Sequence, residues 1–297
     1  MSELFNRTYR LTVGPVEISN LKVEFRVRKT IRREANTCKV KIWNLNEDHR
    51  HAIAVPPGQA GSGRGKIGGA KKHPKTALTE AERVSLRLEA GYNGEHTQLY
   101  FGEVRAGIVK REGPDVITEL SSGDSEKEMA KARINISYGP KTPPEEALKA
   151  LVSALGVGQG NLTKALQLLK SKGVGSFGAT GKVLSGNAAR ELHDFCRSAG
   201  LEWSIQDGQI QFLDLGTPLE TKSSLLLRHD TGLIGSPAVD SSGAVEAETL
   251  LIPGIRPGVI VTFDTEFVTG SYRITDIDYK GDSYGQDWTS KFIAQKY

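Results

Sequence analysis

Hydrophobic and charged residues alternate strictly near both ends of the chain. Over residues 21–28 four apolar side chains alternate with four charged ones, and the same pattern returns over residues 38–42. Toward the other end, small or apolar residues again occupy every second position over residues 259–263 and 288–294. Because successive side chains of a strand point to opposite faces of a sheet, this period predicts strands with one buried and one solvated face.

Turn residues divide the first part of the chain into short predicted strands. Gly14-Pro15 and Ser19-Asn20 separate the first three strands, which predicts an antiparallel meander. Asn93-Gly94 is a strong hairpin signal, because both central residues of a type I′ turn adopt positive φ. The predicted strands are Thr8–Val13, Val16–Ser19, Leu21–Lys29, Thr37–Asn44, Val84–Ala90, Leu99–Val109 and Asp115–Leu120.

A basic segment interrupts these strands. Residues 55–76 are rich in glycine, proline, lysine and arginine and poor in apolar residues, which predicts a long mobile loop. Residues 63–68 match a GxGxxG pattern, but this pattern binds a pyrophosphate only where it joins a strand to a helix. We interpret the segment as a solvated loop, with contact to phosphate or to an acidic protein surface as the alternative.

Between residues 143 and 199 the apolar period changes from two to about 3.6, which predicts short amphipathic helices. The first two are predicted around Ala147–Leu155 and Leu162–Leu169. A third is predicted to start near Ser185, whose hydroxyl is a suitable cap, and to stop at Gly200.

Strand signal returns after the predicted helices. Leu201–Ile205 and Gln209–Leu213 flank Gln206-Asp207-Gly208, which is a second hairpin signal. Further strands are predicted over residues 225–228 and 249–297. The order of elements therefore predicts a mainly β fold with a helical insertion, of the α+β class.

Composition excludes several classes of protein. A length of 297 residues predicts two or three cooperating units. No apolar run approaches the roughly 20 residues that span a bilayer, so we expect no membrane insertion. A net charge of +4 is too small to indicate a dedicated nucleic-acid binder. The first residues do not resemble a secretory signal, which predicts folding in a cytoplasm.

The residues that catalysis and metal binding need are scattered along the chain. Cys38 and Cys196 are too far apart to form a metal or redox motif, and Glu145 and Glu146 are typical of a helix start. We therefore predict no catalytic, cofactor-binding or metal-binding residues, no cofactor, and no enzyme. None of the histidines has a ligand spacing, namely His49, His51, His73, His96, His193 and His229.

Two stretches carry a family resemblance. Tyr9–Asn46 contains an amphipathic strand, a Lys-Thr turn and a strand that closes in Trp-Asn-Leu-Asn. Thr231–Tyr297 contains TGLIGSPAV, LLIPGIRPGVIVTF and SYRITDIDYKGDSYGQDWTSKFIAQKY. In order and spacing these stretches, about a third of the chain, resemble the hub proteins of bacteriophage baseplates, the family that includes the T4-type tail hub and related hubs of contractile tails.

The resemblance implies two small β-barrel, tube-like domains and a short-helix domain. On this pattern residues 1–125 form the first β-barrel domain with the mobile basic loop 55–76, residues 126–200 the helical insertion, and residues 201–297 the second β-barrel domain. It also implies a homotrimeric ring in the virion, assembled in the host cytoplasm, that joins the tail tube to the central spike. The implied partners are the spike, tube, tape-measure and other baseplate proteins, with DNA passing transiently through the channel.

Three alternatives stay open. The chain could be the hub of a phage-tail-derived injection machine, a tail-associated cell-wall hydrolase that uses a carboxylate such as Glu145, or a barrel that binds single-stranded nucleic acid. The last needs several aromatic platforms, and Trp43 is isolated. The charged strand faces, with Lys22, Glu24, Arg26 and Arg28, either meet water or pair with another subunit.

Overall fold

The computed structural model describes most of the chain. The predicted loop at residues 55–76, including its GxGxxG match, lies outside the described residues. The described residues are 6–53, 84–178, 180–219, 224–252 and 254–297.

The described residues form seventeen strands, five α-helices and a 3₁₀ turn at His229–Thr231. Strands make up 51% of the structure and helices 19%, which confirms the mainly β prediction. The helices are α1 Glu47–Ala52, α2 Glu126–Lys131, α3 Pro144–Leu155, α4 Leu162–Ser171 and α5 Ala188–Ser198. The strands are β1 Arg7–Val13, β2 Val16–Ile18, β3 Val23–Thr30, β4 Thr37–Trp43, β5 Ser85–Tyr92, β6 Glu95–Glu112, β7 Asp115–Gly123, β8 Arg133–Tyr138, β9 Lys182–Asn187, β10 Leu201–Gln206, β11 Gln209–Asp214, β12 Ser224–Leu227, β13 Leu233–Val239, β14 Val245–Leu250, β15 Ile260–Asp264, β16 Thr269–Asp282 and β17 Trp288–Lys296.

Thirteen of these strands form one sheet that contains both ends of the chain. Its main path runs β13-β14-β17-β16-β3-β4-β7-β6-β5-β1-β2, and β12 joins through β15, which pairs with β16. The long strand β16 makes the connection. On one edge it pairs with β17, and on the other its first part pairs with β15 while residues 276–282 pair antiparallel with residues 24–30 of β3.

The two predicted barrels are not observed as separate closed sheets. Among the described residues the main path is open, with β13 and β2 at its ends, and no barrel closes. The reason is the length of β16: its 14 residues extend beyond its partner β15 and leave seven positions free to pair with β3. The barrel arrangement therefore stays a prediction.

The main hydrophobic core lies on one side of this sheet. The alternating apolar residues of β3 and β4 are buried there, as the sequence predicts, and they meet apolar residues of β16 and β17 in one cluster. Phe25 of β3 packs edge to face against Trp288 of β17, with ring centroids 5.4 Å apart. Trp288 is fully buried, so this contact between the two ends of the chain lies deep in the core.

A second hydrophobic cluster contains helices α3, α4 and α5, the strand pair β8–β9 and the hairpin β10–β11. The predicted helices at α3 and α4 are confirmed, and α3 buries one apolar stripe that includes Leu148 and Leu151. The predicted start of the third helix is wrong. Ser185 lies in β9, opposite Asn135, and the helix begins at Ala188 after Asn187, whose side chain accepts a hydrogen bond from the Arg190 amide.

The hairpin β10–β11 packs with the helices and not in the large sheet. The two strands pair with each other, and their apolar residues, including Trp203 and Phe212, belong to the second cluster. Strand β10 packs against α5 and strand β11 against α4, so these two helices cover the apolar face of the hairpin. The division into domains stays a prediction.

A substitution at Gly281 tests the packing of Phe25 against Trp288 between the two ends of the chain. It lies in β16 directly opposite Phe25 on one side and Trp288 on the other, and a Cβ at this position would lie 2.2 Å from Phe25 Cζ. We expect Gly281→Ala to lower the free energy of unfolding by about 1–3 kcal/mol, because the ring must leave its packed position. Denaturant unfolding measures the change.

Gly139→Ala is the matched control. Gly139 is exposed, has no positive φ, and would place its new Cβ in open space. We expect a change of less than about 0.5 kcal/mol. Equal effects of the two substitutions would contradict the packing described for Phe25.

Candidate functional site

The side of the sheet opposite its core carries charged residues from both ends of the chain. The cross-strand register places them on one face of β14, β17, β16, β3, β4 and β7, and none of them is buried. Six are basic and six acidic, so the formal charge of the set is zero. We call this set the charged face; it consists of Glu24, Arg26, Arg28, Lys39, Lys41, Glu119, Glu246, Glu248, Asp276, Asp278, Lys280 and Lys291.

Ion pairs neutralise the charged face locally. Arg26 Nε lies 2.9 Å from both carboxylate oxygens of Asp278, and these hydrogen bonds raise the pKa of Arg26. Arg28 Nε donates to the same carboxylate at 3.2 Å, and Lys41 Nζ donates to Glu24 at 3.2 Å. Lys cations and carboxylates on neighbouring strands pair in the same way. Four of the six cations of the charged face are paired with carboxylates, which leaves few to bind a polyanion.

A second feature joins the large sheet to the hairpin β10–β11. Lys29 of β3 is 6% exposed, and its Nζ donates to both carboxylate oxygens of Asp207, each at 2.8 Å. The amide of Phe101 in β6 donates to Asp207 Oδ1 at 3.0 Å. We call Lys29, Asn36, Asp124, Gln206 and Asp207 the polar junction.

The turn between β10 and β11 has the conformation that the sequence predicts. Asp207 has a φ of 57° and Gly208 a φ of 78°, which is the left-handed pair that a tight hairpin turn needs. The turn therefore presents Asp207 to the sheet on a rigid hairpin.

Asn36 closes a ring of hydrogen bonds at the polar junction. Its Oδ1 accepts from the Thr30 amide at 3.0 Å, and its Nδ2 donates to the Ile205 carbonyl at 2.8 Å. Gln206 Nε2 donates back to the Thr30 carbonyl at 2.7 Å. Because Asn36 is 1% exposed, these contacts replace water almost completely.

Asp124 is buried beneath the same turn. Its Oδ1 accepts from the Gly208 amide at 2.9 Å and from Ser125 Oγ at 3.1 Å. Its Oδ2 is buried without a hydrogen-bond partner among the described residues. Burial raises the pKa of Asp124, and the nearby charge of Asp207 adds to the increase.

A buried ion pair forms a further tie between the sheet and the hairpin. Arg273 of β16 is 4% exposed, and its two terminal nitrogens contact the carboxylate of Glu202 in β10 at 2.5 and 3.3 Å. The Arg273 guanidinium also donates to the Thr217 carbonyl at 2.9 Å. A bidentate geometry of this kind fixes both distance and orientation.

The residues considered for catalysis do not come together. Cys38 and Cys196 are buried, and burial raises the pKa of both thiols, as expected for core residues. Glu145 and Glu146 lie in the first turn of α3. Among the described residues, no group of three or more His, Cys, Asp or Glu side chains has the arrangement of a metal site. Within the same part of the chain, no helix has the length and apolarity to cross a bilayer.

The sequence analysis does not predict the polar junction, although the alternation in β3 contains one indication of it. Lys29 has the same parity as Val23, Phe25 and Val27, so the alternation itself places a lysine on the buried face of β3. A buried lysine requires a partner. The sequence does not indicate that Asp207, 178 residues away, supplies it.

Solved structures with a similar fold include two tail proteins and a component of a type VI secretion system. The 43 kDa tail protein of prophage MuSo2 from Shewanella oneidensis superposes with a TM-score of 0.61 at 10% identity, over 98% of each chain. A tail protein of Neisseria meningitidis MC58 gives 0.56 at 10% identity, over 98% of this chain and 97% of that one. The Escherichia coli c3393 protein, a type VI secretion component, gives 0.58 at 10% identity, over 97% of this chain and 76% of that one.

The fold is thus one found in phage tail proteins and their relatives. No curated protein matches the sequence. The family model described as Baseplate hub gp41 matches residues 8–293, nearly the whole chain, and the chain therefore belongs to this family. Its role is that of a structural tail or baseplate component.

Lys29 and Asp207 provide a test of the polar junction. We expect Lys29→Met to lower the free energy of unfolding by about 2–3 kcal/mol, because Asp207 loses two charge-assisted hydrogen bonds in a largely buried position. Lys41→Met, which breaks an exposed pair, is the control and should cost less than about 1 kcal/mol. A double-mutant cycle with Asp207→Asn measures the coupling, and additive effects would contradict a direct interaction.

Asp124 predicts a pH dependence of stability. Its pKa is raised in the folded protein, so the folded state holds a proton that the unfolded state releases, and stability falls as the pH rises through the raised value. Asp124→Asn removes this titration and keeps the oxygen that accepts from Gly208.

We expect the free energy of unfolding of the Asp124→Asn variant, relative to the parent protein, to increase from acidic pH toward neutral pH. Urea titrations at several pH values measure this difference. A difference that is constant or that decreases with pH would show that Asp124 is not protonated preferentially in the folded state.

Proposed function

We propose that the chain is a non-enzymatic hub that forms a homotrimeric ring in the tail baseplate of a virion. The ring joins the tail tube to the central spike and lines the channel through which DNA passes. The observation that carries this proposal is the sharing of one sheet between the two ends of the chain, in a member of the baseplate hub gp41 family.

The two ends contribute similar numbers of strands. Seven strands, β1–β7, come from the first part of the chain and six, β12–β17, from the last part, which together make the thirteen. Two similar β units in each of three copies give six units around one axis. A threefold ring built in this way can meet a sixfold tail tube. This reasoning supports two tube-like units within residues 1–125 and 201–297, with the helices of residues 126–200 inserted between them.

The balance of charges on the charged face supports the proposal that this face lines the channel. Its formal charge is zero and four of its six cations are paired with carboxylates, so it offers DNA or the tape-measure protein a hydrated surface with little net attraction. A channel wall of this kind favours passage over retention. The spike, the tube and other baseplate proteins are the proposed partners at the ends of the ring.

Open sheet edges support contact between copies. The strand β13 pairs only with β14 among the described residues, so its outer edge has free backbone hydrogen-bonding groups. Its side chains include two exposed apolar residues, Ile234 at 40% and Val239 at 55% exposure. Contact with another copy would cover both the edge and these side chains.

A hub in a phage-tail-derived injection machine is the second candidate. The likeness in fold to the type VI secretion component from Escherichia coli favours it, since the same hub geometry fits both kinds of particle. Assembly in the host cytoplasm belongs to the phage case. Genome neighbourhood distinguishes the two, because only a phage carries capsid and packaging genes beside the tail genes.

Sedimentation equilibrium tests the proposed ring. The protein alone should sediment at three times the protomer mass of 32.2 kDa, and with its spike at that mass plus the mass of the bound spike. Ile234→Lys combined with Val239→Lys should shift the protein toward the protomer, because two charges would lie in the covered edge.

Val183→Lys is the control for these substitutions. Val183 is 62% exposed on β9, away from the large sheet, and its change should leave the trimer intact. Images of the trimer should show a ring with a central channel. A protein that stays a monomer at every concentration, with and without its spike, would overturn the proposal.

A further inference from the structure

A cleft of about 670 Å³ lies between the large sheet and the second hydrophobic cluster. Helix α5, strand β10 and Leu215 form one wall, and the loop between β3 and β4 with Arg273 and Thr275 of β16 forms the other. Its volume lies in the range of cavities that bind ligands.

The cleft has an apolar floor that continues onto the surface. Ile31, Leu201 and Trp203 line it and are buried. Leu215, at its edge, is 64% exposed, although it follows a strand of the second cluster directly. Ile31 and Leu215 come from opposite walls, so an apolar side chain placed between them would contact both residues.

Four arginines and two glutamates, Glu34 and Glu202, line the cleft, and two of the arginines lack a carboxylate partner among the described residues. Arg32 forms an ion pair with Asp276 at 3.7 Å, and Arg273 is paired with Glu202. Arg33 and Arg197 also line the cleft and are exposed, and neither has a carboxylate within ion-pair distance in the described part of the chain. On the charged face, by contrast, both Arg26 and Arg28 form ion pairs with the carboxylate of Asp278.

We propose that this cleft binds an acidic segment of another baseplate protein that carries an apolar side chain. Carboxylates of the segment would pair with Arg33 and Arg197, because a guanidinium binds a carboxylate in a bidentate geometry. The apolar side chain would lie on the floor between Ile31 and Leu215. The binding surface exists in a single copy of the chain, so the inference does not depend on the proposed trimer.

Two other occupants, residues 54–83 of the same chain and a single-stranded nucleic acid, fit the cleft less well than an acidic protein segment. Residues 54–83 of the same chain contain more basic than acidic residues, so their charge does not complement the cleft. A single-stranded nucleic acid needs exposed aromatic faces for stacking, whereas Trp203, the aromatic residue that lines the cleft, is 4% exposed.

The test uses the full chain and a short fluorescein-labelled peptide in which glutamate alternates with leucine. Fluorescence anisotropy at low and moderate salt measures binding. The double variant Arg33→Glu with Arg197→Glu should weaken the affinity more than about tenfold, because both rim cations change sign. The control pair, Arg111→Glu with Arg190→Glu, changes two exposed arginines that do not line the cleft and should retain the affinity of the parent protein.

Two further probes separate charge from the apolar contact. A peptide with serine in place of leucine should bind more weakly, and Leu215→Ser should reduce binding of the leucine peptide only. No saturable binding of the leucine peptide by the parent protein, or an equal loss in both double variants, would overturn the proposal. So would tighter binding of a single-stranded oligonucleotide that is lost in the Arg33 and Arg197 variant. Sedimentation of the same samples reports the trimer separately.

Discussion

Pairing between β3 and β16 joins strands from opposite ends of the chain, and the rest of the structure depends on it. Arg26 and Asp278 lie 252 residues apart in sequence and form an ion pair across this contact. On the other side of the sheet the same pairing brings Phe25 against Trp288. A contact between residues so far apart in sequence costs a large loop-closure entropy. Ion pairs on one side of the sheet and apolar packing on the other together offset this cost.

The polar junction gives the second hydrophobic cluster one orientation on the sheet. Apolar packing alone is non-directional and would tolerate several positions of the hairpin β10–β11. Buried polar groups permit fewer positions of the hairpin, because a small displacement breaks their hydrogen bonds. Lys29 and Asn36 hold the turn at one point, and Arg273 holds the strand β10 at another. Two separated contacts of fixed geometry exclude rotation, which supports a rigid unit in a large assembly.

Local features of the sequence predicted local structure well. The alternation around Phe25 predicted β3 and its buried face, and Asp207-Gly208 predicted a hairpin turn. The third helix begins three residues later than the sequence predicts, because Ser185 is still paired in β9 and Asn187 is the cap. Partners distant in sequence were not predictable: a period of two identifies the buried face of a strand but not the strand beside it. For this reason the contact of β3 with β16, the open path of the sheet and the partner of Lys29 appear only in the structure.

The arrangement of charges separates two kinds of surface on the same molecule. On the charged face, Arg26 and Arg28 share the carboxylate of Asp278, and cations and anions are equal in number. In the cleft, Arg33 and Arg197 stand free beside an apolar floor. An unpaired arginine retains its full capacity for a carboxylate partner, whereas a paired one must first break a hydrogen-bonded contact. A wall along which molecules pass and a site that holds a neighbouring protein need these opposite properties. The position of the cleft strengthens the distinction, because a segment bound there would touch both the large sheet and the second hydrophobic cluster and would stabilise the contact between them.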